Sequence, residues 1–169
     1  MNLQHHWRTE KILNLDEARE KAAELKASGK NIVTVNGAFD ILHAGHLDML
    51  EEAKMQGNVL FVGVNSDVSI RDKKGAQRPY IPEQERMAML AALTCVDYVV
   101  LLDAPYDEAQ NALILAVKPD THANGAEYGE PEKWIEYPAM QKVGAKGYGV
   151  QRRPGLATSE LIEKIKLTK

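Results

Sequence analysis

The chain has 169 residues, 44% of them hydrophobic and 27% charged, with a formal net charge of −3, a make-up that fits one ordinary folded domain. No apolar run approaches the roughly 18 residues that a membrane helix needs, and the polar opening around His5, His6, Trp7 and Arg8 lacks the apolar segment of a secretory signal, so a cytoplasmic protein is expected. The slight negative charge argues against a broad basic face for nucleic acid, and the single cysteine, Cys95, excludes an internal disulfide and reads as a buried, unreactive thiol.

In chain order, Asn14 or Asp16 caps a first helix reaching about Ala27, with Leu15, Ala18, Ala22 and Leu25 on one face and Ser28-Gly29 at its end. A buried strand, Ile32 to Val35, leads through a turn over Asn36 to Leu42 into a helix from Gly45 to about Gln56. Gly57 ends that helix before the strand Val59 to Val64, which completes a βαβ unit. The polar segment Asp67 to Pro82 carries Arg71, Lys73, Lys74 and Arg78, and reads as a loop able to reach over a ligand. Pro82 then opens a helix to about Leu93, with Glu83 and Glu85 at its positive end. A strand Tyr98 to Leu102 follows, then a helix Asp107 to Val117 broken by Pro119, and a short strand Asp120 to Ala123. The stretch Asn124 to Pro138 is compatible with a loop holding a short helix; a strand near Tyr148 to Gln151 and a helix Thr158 to Leu167 finish the pattern. Strands alternating with helices, without a repeat or linker, predict one α/β domain: a Rossmann-like open parallel sheet of about five strands with helices on both faces.

The chemistry concentrates in Gly37-Ala38-Phe39-Asp40-Ile41-Leu42-His43-Ala44-Gly45-His46, at the carboxyl end of the first predicted strand, where open α/β sheets bind ligands. Gly37 permits a tight turn, and the free amides of the next helix's N-terminus attract phosphate oxygens. His43 and His46, three residues apart with the small Gly45 between them, can face one side and donate to one phosphate. Asp40 either orients a histidine or braces the turn through backbone amides, the role we favour. A zinc reading of the pair needs a further ligand, for which Cys95, His122, Asp40 and Asp48 are the obvious candidates. The strand-to-helix setting of the motif instead favours phosphoryl chemistry.

These residues resemble the signature of the cytidylyltransferase-like nucleotidyltransferase superfamily, which shares His-x-Gly-His with class I aminoacyl-tRNA synthetases. The chain is short for a synthetase and has no Lys-Met-Ser-Lys-Ser-like segment. Within the superfamily it looks like the adenylyltransferase domain of ADP-heptose synthesis, on Gly63-Val64-Asn65-Ser66-Asp67, Lys74-Gly75, Arg78-Pro79, Glu85-Arg86, Leu90-Ala91-Ala92-Leu93 and Val96-Asp97-Tyr98-Val99-Val100. The resemblance implies transfer of AMP from ATP to heptose 1-phosphate with release of pyrophosphate, Mg²⁺ accompanying the triphosphate, no resident metal site, and a homodimer without nucleic-acid or membrane partners. It also implies a nucleotide site drawn from Gly37, Ala38, Phe39, Asp40, His43, Gly45, His46, Asn124, Gly125 and Glu127, with Asp97 offering its backbone to a base edge. Lys74 would join the histidines in catalysis, and Arg78 and Arg86 would take the acceptor's phosphate; Arg86 has the alternative of pairing with carboxylates nearby.

A second family element is similar to Arg152-Arg153-Pro154-Gly155-Leu156-Ala157-Thr158-Ser159. There Thr158, Ser159 and Arg152 would meet the β- and γ-phosphates at another helix start. Two positions depart from the family pattern. Ala157 replaces a hydroxyl residue, and Asn124-Gly125-Ala126-Glu127-Tyr128 stands where heptose-type domains carry Lys-Gly-Gly-Asp-Tyr, so a cation is lost and the sugar is less certain than the chemistry. Tyr128 and Trp134 read as packing residues, and His122 as structural. Two other functions compete: a CTP-dependent cytidylyltransferase for glycerol 3-phosphate or a related alcohol phosphate, which resembles Arg-Tyr-Val-Asp where this chain has Thr94-Cys95-Val96-Asp97, and a nucleotide-binding module without turnover.

Overall fold

The computed structural model describes residues 7–151 and 158–168. Six parallel strands make one sheet: β1 (Ile12–Leu13), β2 (Ile32–Gly37), β3 (Val59–Asn65), β4 (Tyr98–Leu102), β5 (Thr121–Gly125) and β6 (Lys146–Val150), in the order β1-β4-β3-β2-β5-β6. The apolar run of β3 is buried along its whole length, as a central strand covered on both faces must be. From β2 the sheet grows through β3 and β4 to one side and through β5 and β6 to the other, so the order reverses between β2 and β5. At such a point neighbouring connections diverge and leave a crevice at the carboxyl ends of the strands.

Strand alternation sorts the side chains between two cores. Val33, Val35, Leu60, Val62 and Val64 pack under α2 (Ala44–Lys54) and α4 (Glu83–Ala91). Ile32, Val59, Phe61, Val100 and Leu102 pack under α1 (Leu15–Ala27) and α5 (Tyr106–Val117). Asn14 caps α1 by accepting from Asp16 N and Glu17 N, while the Glu17 carboxylate accepts from Asn14 N, a reciprocal capping box. Cys95 packs partly buried against the α2 side, and burial raises its thiol pKa, which suits the inert role expected of it.

The structure departs from the sequence reading in four places. The sheet has six strands rather than about five, because the two-residue edge strand β1 is too short to show a period. The polar segment after β3 is not a loop throughout: α3 (Asp67–Lys74) occupies its first half, capped by Ser66 Oγ accepting from Ser69 N, and its solvated face hides the helical pattern. The stretch read as a loop with a short helix does hold 3-10 turns, at Ala126–Tyr128 and Pro131–Lys133, but it is followed by α6 (Tyr137–Val143), most of which lies past that stretch and is absent from the sequence reading. β6 begins two residues ahead of the expected strand; α7 (Thr158–Leu167) matches its expected bounds.

A third apolar cluster joins Ile114, Trp134, Ala139 and Met140 on the α5 side, and two titratable groups are buried nearby. His122 is fully enclosed, with Nδ1 2.9 Å from Thr34 Oγ1 and its ring 6.1 Å from that of Trp134, and burial pushes its pKa down to about 3. The Glu136 carboxyl is buried, and desolvation, partly offset by its own backbone N–H, pushes it up to about 7 from near 4.5. The two act in opposite senses. A raised carboxyl pKa gives stability that is present below about pH 4.5 and lost as pH climbs through 7, whereas a depressed histidine pKa gives stability that is present above about pH 6.5 and lost as pH falls toward 3. Between about pH 4.5 and 6.5 the slopes oppose each other, and below that window only His122 acts. Glu136→Gln is therefore expected to raise unfolding free energy by about 3 kcal/mol at pH 8 and to change little at pH 4. Urea unfolding across that range checks this; an equal effect at both pH values would refute it.

Candidate active site

At the switch point between β2 and β5 lies a cleft of about 480 Å³. Its floor is the turn after β2. Phe39 sits there at φ +49°, a left-handed conformation uncommon for a bulky residue, and its buried ring lies 5.3 Å from that of His46. A side chain at Gly37 would put its Cβ 2.8 Å from Phe39 Cε2, so only glycine leaves this turn undisturbed. Asp40, 2% exposed, uses both carboxylate oxygens to hold the turn: it accepts from Tyr80 N at 2.7 Å, Ile81 N at 3.0 Å and Arg78 Nε at 2.6 Å. The bracing role expected of Asp40 fits this geometry, and the brace also fixes Arg78 at the cleft's edge.

His43 is the N-cap of α2 and His46 lies in its first turn. Their rings stack with centroids 3.9 Å apart, and both line the cleft together with Gly45 and Met49. From the far side, Thr158 at the start of α7 brings Oγ1 to 3.4 Å from His43 Nε2, so elements 115 residues apart meet across the cleft. Lys74, at the end of α3, also lines it; partial burial and the neighbouring Arg78 lower its pKa, opposed by Asp40. The β5 side contributes Asn124, Gly125 and Glu127. The Glu127 carboxylate folds so closely over Gly125 that a Cβ there would collide with it. Gly37, Ala38, Phe39, Asp40, His43, Gly45, His46, Lys74, Arg78, Asn124, Gly125, Glu127 and Thr158 thus converge on one space. Arg152 and Ala157 lie outside the described residues, as does the side chain of Ser159.

Three expectations need correction. Asp97 is not at the cleft: it precedes β4, at the amino edge of the sheet, where its carboxylate accepts from Leu60 N at 2.7 Å and pairs with Lys54 Nζ at 2.5 Å. Arg86 does not face the cleft either. It is fully buried and donates to Ile81 O, Ala38 O, Asn65 O and Asp67 Oδ1 at 2.5 to 2.9 Å, so its guanidinium is an internal clamp. Trp134 is buried as expected, with Nε1 donating to Gly129 O, but Tyr128 is 60% exposed and lines the cleft instead of packing inside. The sequence reading also missed Asn36, Met49, Val150 and Gln151 as lining residues. Asn36 and Gln151 carried a signal, since each sits at the carboxyl end of a predicted strand. The zinc alternative finds no support in the geometry, because His122 faces Thr34 in the interior and Asp40 is occupied by the turn. Among the described residues no helix is long and apolar enough to cross a membrane.

The family described as cytidylyltransferase-like matches residues 34–163, from mid-β2 into α7. The chain belongs to this family. The match takes in both walls of the cleft, so the cytidylyltransferase-like signature and the geometry coincide. Among its relatives is the bifunctional protein HldE of Geobacter metallireducens, 41% identical over 165 residues that make up 98% of this chain and 33% of that protein. The bifunctional protein HldE of Helicobacter pylori is 39% identical over 158 residues, 94% of this chain and 32% of its own. The chain thus spans about a third of the length of these curated relatives. A solved structure of a lipopolysaccharide core biosynthesis protein from Thermoplasma volcanium GSS1 is 30% identical, with a TM-score of 0.57 over 74% of this chain and 98% of that one. A pantoate-beta-alanine ligase from Francisella tularensis, 15% identical with a TM-score of 0.60, is similar in fold.

Proposed function

We propose that this cytidylyltransferase-like domain transfers AMP from ATP to a sugar 1-phosphate, releasing pyrophosphate, and that the acceptor is heptose 1-phosphate. The observation that carries the transfer reading is the stacked His43–His46 pair at the N-terminus of α2, faced by Thr158 across the cleft. Two imidazoles and a helix N-terminus meet there at the edge of the cleft, as a developing charge on phosphorus oxygens requires. The sugar rests on the sequence resemblance to the ADP-heptose domain and on the likeness to a lipopolysaccharide core biosynthesis protein.

In this reaction an oxygen of the acceptor's phosphate attacks the α-phosphorus in line, the bond from that phosphorus to the β-bridging oxygen breaks, and pyrophosphate leaves with the electron pair. No protein nucleophile is needed, and the chain's part is to position and neutralise. The triphosphate enters as its Mg²⁺ complex, the metal neutralising phosphate charge. His43 and His46 donate to the α-phosphate oxygens, and Thr158 meets the leaving phosphates from α7. Lys74 and Arg78 stand at the same mouth, and the Asp40 carboxylate holds Arg78 in place. Partial burial first, and then the neighbouring Arg78, lower the pKa of Lys74, and an arriving anion would favour its charged form.

Pyrophosphate release measured with ATP, CTP, GTP and UTP against heptose 1-phosphate, other sugar 1-phosphates and glycerol 3-phosphate tests the proposal. Release with ATP and heptose 1-phosphate is expected. Release with CTP and glycerol 3-phosphate alone would replace it with an alcohol-phosphate cytidylyltransferase, and nucleotide binding without release from any pair would leave a binding module.

A further inference from the structure

One corner of the cleft carries polar groups that the phosphate chemistry does not use. Asn36 is the penultimate residue of β2 and Asn65 the last of the adjacent β3, and alternation turns both side chains to the face covered by α5. Between them stands Gly63, paired with Asn36. A Cβ at Gly63 would lie 2.5 Å from Asn36 Oδ1 and 2.8 Å from Leu102 Cδ1, so its missing side chain is the room the Asn36 amide occupies. Asn36 Nδ2 donates to Gln110 O at 2.7 Å, tying this corner to the first half of α5. Ser69 is buried on α3, which follows β3 directly and packs on α5.

Asn65, Ser69 and Gln110 are each at least 97% buried. Yet Asn36 Oδ1, Asn65 Nδ2, Ser69 Oγ and Gln110 Nε2 have no hydrogen-bond partner among the described residues. Buried polar groups are almost always paired, because an unmade bond leaves the full desolvation cost in place, so four orphans on the mutually packed elements β2, β3, α3 and α5 ask for an explanation. Asn36 also lines the cleft and so connects this corner to the reacting phosphates. The charged side chains nearby are already matched: Asp67 pairs with Arg86, and Lys73 Nζ lies 5.0 Å from the centre of the Tyr106 ring. What remains is neutral, two donors and two groups able to accept. That set suits alcohols, which both give and take hydrogen bonds, and is poorly suited to a phosphate.

We infer that the corner formed by Asn36, Asn65, Ser69 and Gln110 is the subsite for the hydroxyl groups of a polyhydroxylated acceptor. The inference rests on the transfer reading above and deepens it. The acceptor's phosphate lies at the histidines, its hydroxyl-bearing body is directed under α5 past Asn36, and the nucleotide takes the β5 side. Selectivity follows from the orphans, because an acceptor without hydroxyls leaves them unmatched.

The test uses the full chain labelled with ¹⁵N, following the side-chain amide signals of Asn36, Asn65 and Gln110 during titration with heptose 1-phosphate, mannose 1-phosphate or inorganic phosphate. The sugar phosphates are expected to shift all three amides, and inorganic phosphate only backbone signals around His43. In parallel, the volume-conserving Gln110→Met and Ser69→Ala are expected to raise KM for the sugar phosphate about tenfold each while KM for ATP stays within twofold, the loss expected for one hydrogen bond. Sugar phosphates that bind or turn over with the amide signals unmoved would overturn the subsite and leave the transfer reading standing. Failure of every sugar phosphate to bind would also overturn it. Absence of pyrophosphate release from the wild type with all acceptors would strike the transfer reading separately.

Discussion

Alanine at His43 or at His46 lowers turnover by about a hundredfold to a thousandfold, the loss expected when one donor to a transition-state oxyanion is removed. The two should not multiply. The rings stack at 3.9 Å and serve one phosphate, so the double variant is expected to fall little below the worse single one. Both residues are half-buried at the start of α2, outside the fully enclosed core, so the variants should unfold close to the wild-type denaturant midpoint. Steady-state pyrophosphate release with saturating substrates, beside urea unfolding, reads both effects. Unchanged turnover in both single variants would remove the histidines from the mechanism.

Arg86→Met should show the reverse profile, a large loss of stability with activity following it down. The guanidinium ties the turn after β2 through Ala38 O, the end of β3 through Asn65 O, the start of α3 through Asp67 and the segment before α4 through Ile81 O. Removing it leaves the carbonyls of Ala38, Asn65 and Ile81 without their donor and the partly exposed Asp67 carboxylate without its cation. The cost expected for breaking such a buried pair is about 3–5 kcal/mol. A domain of this kind holds only about 5–15 kcal/mol in total. Lysine should rescue poorly, because one ammonium cannot span the directions that the fork reaches. Urea unfolding of both variants decides the matter: a midpoint within experimental scatter of wild type would mean that the clamp is dispensable.

The sequence made legible whatever was local. The turn from Gly37 to His46 carries its own instructions, since the glycine, the helix start and the paired histidines all act within ten residues. The strands β3 and β4 were equally open to reading, as uninterrupted apolar runs of the right length. What stayed hidden depends on distant partners. Arg86 reads as a cation available to a phosphate until its acceptors, up to 48 residues away, are known. β1 is too short to announce itself, and α3 buries only Ser69 and Ile70 among eight residues, too narrow a stripe to register as amphipathic. Asp97 is a different case, because the rule that ligands sit at carboxyl ends of strands already argues against a residue immediately before one. The family resemblance supplied the residue's name, while the direction of β4 decides where it stands.

The contact between Thr158 and His43 also separates the scaffold from its competence. Strands β1 to β6 all end by residue 150, whereas α7 supplies one side of the cleft. A chain cut after β6 would keep every strand of the sheet and present its histidines to bulk water, with that wall of the cleft absent. Turnover would then be lost while the sheet stays in place.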